Sequence, residues 1–115
     1  MKVNGTTLKV TKKHIRDGIP GDPCNCAIAL ALKEHFDTES VHVNTDGVSF
    51  ETSIPVVDDE VCDVKVGCYF GKKGVEFIKK FDRILDHEDD RDARKYRKRL
   101  KPVTLKIQDV SVCYE

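Results

Sequence analysis

Residues 21–36, GDPCNCAIALALKEHF, carry the feature that most limits what this chain can fold into. Asp22 and Pro23 form a helix-start signal. The Asp carboxylate accepts an orphan backbone N–H, and Pro at the first helical position gives up a donor that has no partner there. The spacing predicts a helix to about Phe36, with Ile28, Ala29, Leu32 and Phe36 on one face and Leu30 and Ala31 widening it. A helix so apolar around its girth belongs at the centre of a core, and the other elements must pack on it.

The chain has 115 residues, enough for one such core and too few for two, so residues 1–115 are expected to form a single domain. A hydrophobic content of 39% beside 35% charged residues excludes the disordered class. The 20 basic and 20 acidic residues cancel, so any argument for nucleic-acid or membrane binding must be local. No apolar run approaches the roughly 18–20 residues needed to span a bilayer. The start MKVNGTTLKVTKK lacks the apolar stretch of a signal peptide. These observations predict a cytoplasmic protein with no membrane partner. There, five cysteines are expected to be reduced thiols, each by default a small buried hydrophobe.

Periodicity places the other elements. Asn4 and Gly5 are a hairpin signal, with at least a strand over residues 7–10. Thr11 caps a short helix through His14 and Ile15 that Gly18 closes in the left-handed region. Val41, His42 and Val43 alternate before the loop NTDG, and Val48, Ser49 and Phe50 after it, as in a hairpin. From Val61 the alternation sets Cys62, Val64, Val66, Cys68 and Phe70 against Asp63, Lys65, Gly67 and Tyr69, the clearest strand in the chain. Residues 74–85 place Val75, Ile78, Phe81 and Leu85 at helical spacing. Residues 86–101 form a charged helical extension or a mobile loop, with Ala93, Tyr96 and Leu100 as a weak apolar stripe. After Pro102, Val103, Leu105 and Ile107 alternate, and Val110 and Val112 shift phase at Asp109. The fold expected is α+β: an antiparallel or mixed sheet of five to six strands with two to three helices on one face, the central one near residues 23–36.

Three constellations are candidates for chemistry. Cys24 and Cys26 sit where a helix N-terminus lowers a thiol's pKa, and they are weak metal candidates. Their C-x-C spacing is neither a zinc knuckle nor a redox pair, and on a helix the side chains point roughly 200° apart. Cys62 and Cys68 lie roughly 20 Å apart along a strand, Cys113 stands near the terminus, and His14, His35, His42 and His87 lack ligand spacing. Core packing is the reading taken, with no cofactor expected.

The second is the basic set Arg91, Arg94, Lys95, Arg97, Lys98, Arg99 and Lys101, with Tyr96 available to stack, a pattern that suits a phosphate backbone. Its acidic neighbours Asp86, Glu88, Asp89, Asp90 and Asp92 favour a solvated helix face laced with ion pairs such as Asp90 to Arg94. The third is Asp58, Asp59, Glu60 and Asp63, which lacks a calcium-loop pattern and suits edge protection. There is no Gly-rich phosphate loop, no G-x-S-x-G and no H-E-x-x-H, so no catalytic residue is assigned and an enzyme is not expected.

VTKKHIRDG, GDPCNCAIALAL, FIKKFD and KPVTLKI together resemble a group of small uncharacterised proteins of tailed bacteriophages. That group combines an aliphatic-Thr-x3-Ile-x2-Gly start, a Cys-Pro-Ile-Ala-Leu-Ala helix motif, Phe-Ile-x2-Phe-Asp and a closing Pro. Val10, Thr11, Ile15, Gly18, Cys26, residues 28–32, Phe77, Ile78, Phe81, Asp82 and Pro102 fit it, and Ala27 stands where the group has Pro. The resemblance implies a viral origin and no particular activity. By analogy with other small phage proteins, it implies a role in binding and blocking a host component, for example as an anti-CRISPR.

The function expected is accordingly a non-catalytic binding protein that docks on a host or phage protein through two charge clusters, residues 58–63 and 86–101. The alternatives are a nucleic-acid or nucleotide binder using residues 91–101, and a cysteine-based metal or redox protein. A homodimer is also compatible with the sequence.

Overall fold

A computed structural model describes residues 5–44, 47–55 and 61–114. The chain is α+β, with six strands among the described residues, divided between two antiparallel sheets. Strands β1 (Thr7–Val10) and β5 (Val103–Lys106) form the smaller sheet. Strands β2 (Val41–Asn44), β3 (Gly47–Pro55), β4 (Val61–Tyr69) and β6 (Gln108–Tyr114) form the larger one in the order β2-β3-β4-β6.

The larger sheet follows the period-two pattern. Val41 faces Phe50, Val43 faces Val48, and Phe50 faces Val66 across the strands. These residues, with Val64 and Cys68, are buried on one side, while His42, Glu51, Asp63 and Lys65 are exposed on the other. The phase shift at Asp109 is a β-bulge: its φ is 54°, and the β4–β6 register slips between Gly67 and Tyr69.

Strand β1 forms as expected but pairs with β5, antiparallel from Thr7 opposite Lys106 to Val10 opposite Val103. Gly5 N–H donates to the Ile107 carbonyl at 2.8 Å, which extends the contact between the two strands beyond Thr7. Asn4 lies outside the described residues. Helix α1 (Lys12–Asp17) carries a capping box: the Thr11 hydroxyl accepts from His14 N, and His14 Nδ1 accepts from Thr11 N at 3.0 Å.

Gly18 is not left-handed; its φ of −70° and ψ of 151° are extended. It is glycine because a Cβ would stand 2.6 Å from Ala27 N and 2.9 Å from the His14 carbonyl oxygen.

Helix α2 (Ala27–Phe36) starts later than the Asp-Pro signal predicts. The Asp22 carboxylate accepts from Cys24 N at 2.9 Å, from Asn25 N at 3.2 Å and from Asn25 Nδ2 at 3.2 Å. This closes a turn over residues 22–25, and the backbone becomes extended at Cys26, the N-cap. Ala27, Ile28, Ala29, Ala31, Leu32 and Phe36 of α2 are buried, and the Phe36 ring stacks on Phe50 with centroids 4.5 Å apart. The helix is the centre of the core, as its composition requires.

Helix α3 (Gly71–Asp82) buries Phe77 and Phe81 and then tightens into a 3₁₀ turn, Arg83–Asp86. The tighter winding breaks the spacing that assigned Leu85 to the core. Ile84 is buried at 6% exposure and Leu85 stands out at 63%. Residues 90–99 are helical: α4 (Asp90–Arg99) is capped by Asp89, whose Oδ1 accepts from Arg91 N at 2.8 Å. Ala93 and Tyr96 pack against the core, and Leu100 is buried.

Candidate functional site

The site is assembled by two helices that hold each other's ends. The last carbonyls of an α-helix have no intrahelical donors and carry the negative end of the macrodipole, so a cation is stabilising there. Arg97 of α4 supplies one to the end of α1: its Nη1 donates to the carbonyls of Ile15 at 2.9 Å, Arg16 at 3.0 Å and Gly18 at 2.8 Å. Lys12 of α1 does the reverse, its Nζ donating to the carbonyls of Lys98 at 2.9 Å and Leu100 at 2.6 Å.

Between the helices lies a cavity of about 590 Å³, in which Lys12, Lys13, Arg16, Arg94, Arg97 and Lys98 surround Ile15. Not all of this charge is free. Lys12 and Arg97 are committed to carbonyls, and Arg16 Nε pairs with Asp17 Oδ1 at 2.9 Å. The hydrogen bond from Arg16 holds the Asp17 carboxyl below the usual carboxylate range. Lys13, Arg94 and Lys98 have no acceptor for their side chains among the described residues.

Ion pairs along α4 do not form. Among the described residues the ion pair is Arg16 with Asp17, while His14 meets Glu34 through a hydrogen bond, so the expected pairing of Asp90 with Arg94 is absent. The acidic residues have another task. Asp89 caps α4, Asp90 and Asp92 occupy its first turn, and Arg97, Lys98 and Arg99 occupy its last, which is the charge order a helix dipole prefers. At about 100° per residue, Ala93, Tyr96 and Leu100 turn inward and Arg91, Arg94, Lys95 and Lys98 form the outward stripe. On the other flank of α4, Lys73, Lys80, Arg99 and Lys101 line a second cavity of about 460 Å³, with Glu76 as its acid.

The structure thus brings Arg94 and Lys98 together with Lys13, places Lys95 on the outward stripe and Arg99 on the other flank, and gives Arg97 an internal task. Tyr96 is not free to stack on a ligand: its hydroxyl donates to the Lys80 carbonyl at 2.7 Å, and its ring lies 4.9 Å from that of His87. Lys12, Lys13 and Arg16 were missed by sequence reasoning because nothing local links them to residues more than 75 positions away. The doubled lysine beside the Thr11 cap is the one visible trace of them.

Asp58, Asp59 and Glu60 lie outside the described residues. Asp63 is exposed and accepts from Ser53 Oγ at 2.6 Å.

The cysteines separate by burial. Cys24 is exposed on the turn, whereas Cys26 and Cys68 are buried. Burial pushes the Cys26 thiol up and the Cys68 thiol to about 11. The side chains of Cys62 and Cys113 lie outside the described set. Among the described residues no three His, Cys, Asp or Glu side chains are placed to hold a metal ion, and no helix is long and apolar enough to cross a membrane.

Compared with known proteins, the chain matches no family model, no curated protein and no solved structure.

Proposed function

We propose that the chain is a binding protein whose docking surface is the cationic face of α1 and α4, and that its partner is a nucleic-acid duplex. One observation carries this reading: Lys13, Arg94 and Lys98 converge from two helices with no hydrogen-bonded or ion-paired acceptor for their side chains among the described residues, in a chain whose formal charge is zero. Like charges held together cost stability, and contacts to phosphate turn that cost into binding through counterion release. The shape fits as well. Helix α4 has 10 residues, none of them buried. It is therefore about 15 Å long and about 10–12 Å across with its side chains, against a major groove about 12 Å wide. The basic clefts on its two flanks would face the two phosphate strands.

Docking on a host or phage protein rests on both charge clusters, residues 58–63 and 86–101, and Asp58, Asp59 and Glu60 of the first lie outside the described residues. It is the competing outcome of the test. Fluorescence anisotropy with a labelled DNA duplex of mixed sequence should give an affinity that falls with salt, by about 0.9 log unit per log unit for each phosphate contacted. Lys13→Glu with Arg94→Glu should flatten that slope. Duplex affinity that ignores both salt and the charge reversal would reject this reading in favour of a protein partner.

A further inference from the structure

A cleft of about 370 Å³ opens between the turn before α2, strand β2 and helix α3. It shares none of the cations of the α1–α4 face. Its volume is within the roughly 300–1,000 Å³ of small-molecule sites. It is walled by Ile28, Val43, Phe77, Ile78 and Phe81, with Cys26 beside them. Two of the motifs that stand out in the sequence, GDPCNCAIAL and FIKKFD, meet here, although each is explained locally by its own helix or turn.

Three observations define the chemistry of the cleft. Hydrogen bonds join its walls: Val43 N–H donates to the Pro23 carbonyl at 2.8 Å, and Gly21 N–H donates to the side-chain Asp82 Oδ1 at 2.9 Å. Among the described lining residues Asp22 and Asp82 are carboxylates, His42 is the base, and there is no Lys or Arg. Hydrogen bonds from Cys24 N–H and Asn25 hold the Asp22 carboxyl below the usual range, and burial keeps the Cys26 thiol neutral, so Cys26 acts as apolar wall. The rings of Phe77 and Phe81 lie nearly parallel, 10° apart with centroids separated by 6.1 Å.

Two cations approach the lining residues, and both are engaged. Lys33 donates to Asn25 Oδ1 at 3.0 Å beside Asp22, and Arg97, 5.8 Å from the Phe81 ring, is committed to the α1 carbonyls. Asp82 Oδ2 has no partner among the described residues.

We propose that this cleft is a binding site for an organic ammonium ligand, a primary amine on a short alkyl or aryl frame. The ammonium group would meet the free oxygen of Asp82, and its frame would lie against the half-buried Ile78, with the largely buried Phe77 and Phe81 behind it. A carboxylate attracts a cation and repels an anion of similar shape.

The test uses the full chain, ¹⁵N-labelled, titrated with 2-phenylethylamine and, separately, with the neutral 2-phenylethanol and the anionic phenylacetate. The amine should produce saturable shifts at the amides of Gly21, Val43 and Ile78, and the other two should not. Asp82→Asn keeps an acceptor for Gly21 N–H, so its free spectrum should retain the wild-type dispersion, while the amine should bind about tenfold or more weakly. The proposal is overturned if alcohol and amine bind alike, if the shifts map elsewhere, if Asp82→Asn binds the amine as wild type does, or if no saturation appears by about 10 mM. None of these outcomes depends on whether the α1–α4 face binds a duplex.

Discussion

The Arg97 guanidinium meets the Gly18 carbonyl at 2.8 Å, joining positions 79 residues apart in sequence. The same nitrogen reaches the carbonyls of Ile15 and Arg16, so one half-buried side chain closes the end of α1 and sets the distance between the two basic helices. Hydrogen bonds to a charged donor contribute about 1.5–3 kcal/mol. Arg97→Ala is therefore expected to lower stability by about that amount, and Arg97→Lys to recover only part of it, since an ammonium lacks the planar fork. Urea denaturation of the three proteins checks this. Superimposable midpoints would mean that the carbonyls are as well served by water.

Gly18 meets a different demand. Its backbone is extended, a conformation open to any residue, and its constraint is the 2.6 Å between a Cβ and Ala27 N. The contact is with backbone at the start of α2, which cannot yield as a flexible side chain would. Gly18→Ala is expected to cost about 1–3 kcal/mol through overpacking, read as a fall in Tm. Gly5 is the control. Its φ of 83° makes alanine strained, yet nothing lies within 4 Å of its Cβ position, so Gly5→Ala should cost only about 1 kcal/mol.

These two positions show where a sequence is readable and where it is not. Strand β4, the β2–β3 hairpin and the slip at Asp109 were legible because a period of two, or a break in it, is written in adjacent residues. The α2 boundary was misplaced because Asp followed by Pro begins a turn as readily as a helix. The choice was made by Asn25, whose backbone and side chain both donate to Asp22. The burial of Ile84 in place of Leu85 depends on a change of helical pitch that no local pattern announces. Least legible was the cationic face: the run at residues 91–101 was visible, but its convergence with Lys12, Lys13 and Arg16 exists only once β1 and β5 have paired and brought the chain ends together.

Thiol chemistry gives an independent check on the burial of the core. The thiolate is the reactive form, and a thiol at about 11, as for Cys68, is ionised to only about 0.1% at pH 8. Cys26 is shielded at 8% exposure and raised in the same direction. Brief iodoacetamide treatment at pH 8 followed by peptide mapping should therefore find Cys24 modified and Cys26 and Cys68 protected. All three should react in urea. Native modification of Cys26 at the rate of Cys24 would place the start of α2 outside the core.

The capping box of α1 predicts how stability responds to acid. His14 Nδ1 accepts from Thr11 N–H, so Nε2 carries the proton that it donates to Glu34 Oε2 at 2.9 Å. This hydrogen bond holds the Glu34 carboxyl below its ordinary 4.5. A carboxylate whose folded value is depressed contributes stability that is complete above the unfolded value and is lost as pH falls through the folded one. Asp17 and Asp22 are depressed as well, by Arg16 and by the N–H of Cys24 respectively, and act in the same direction. Denaturant midpoints should decline as pH falls below about 4.5. Glu34→Gln keeps an acceptor for Nε2–H but cannot titrate, so its decline should be shallower than that of wild type. A Glu34→Gln profile parallel to wild type through the acid range would assign the acid sensitivity to Asp17 and Asp22 and leave the His14–Glu34 bond without a part in it.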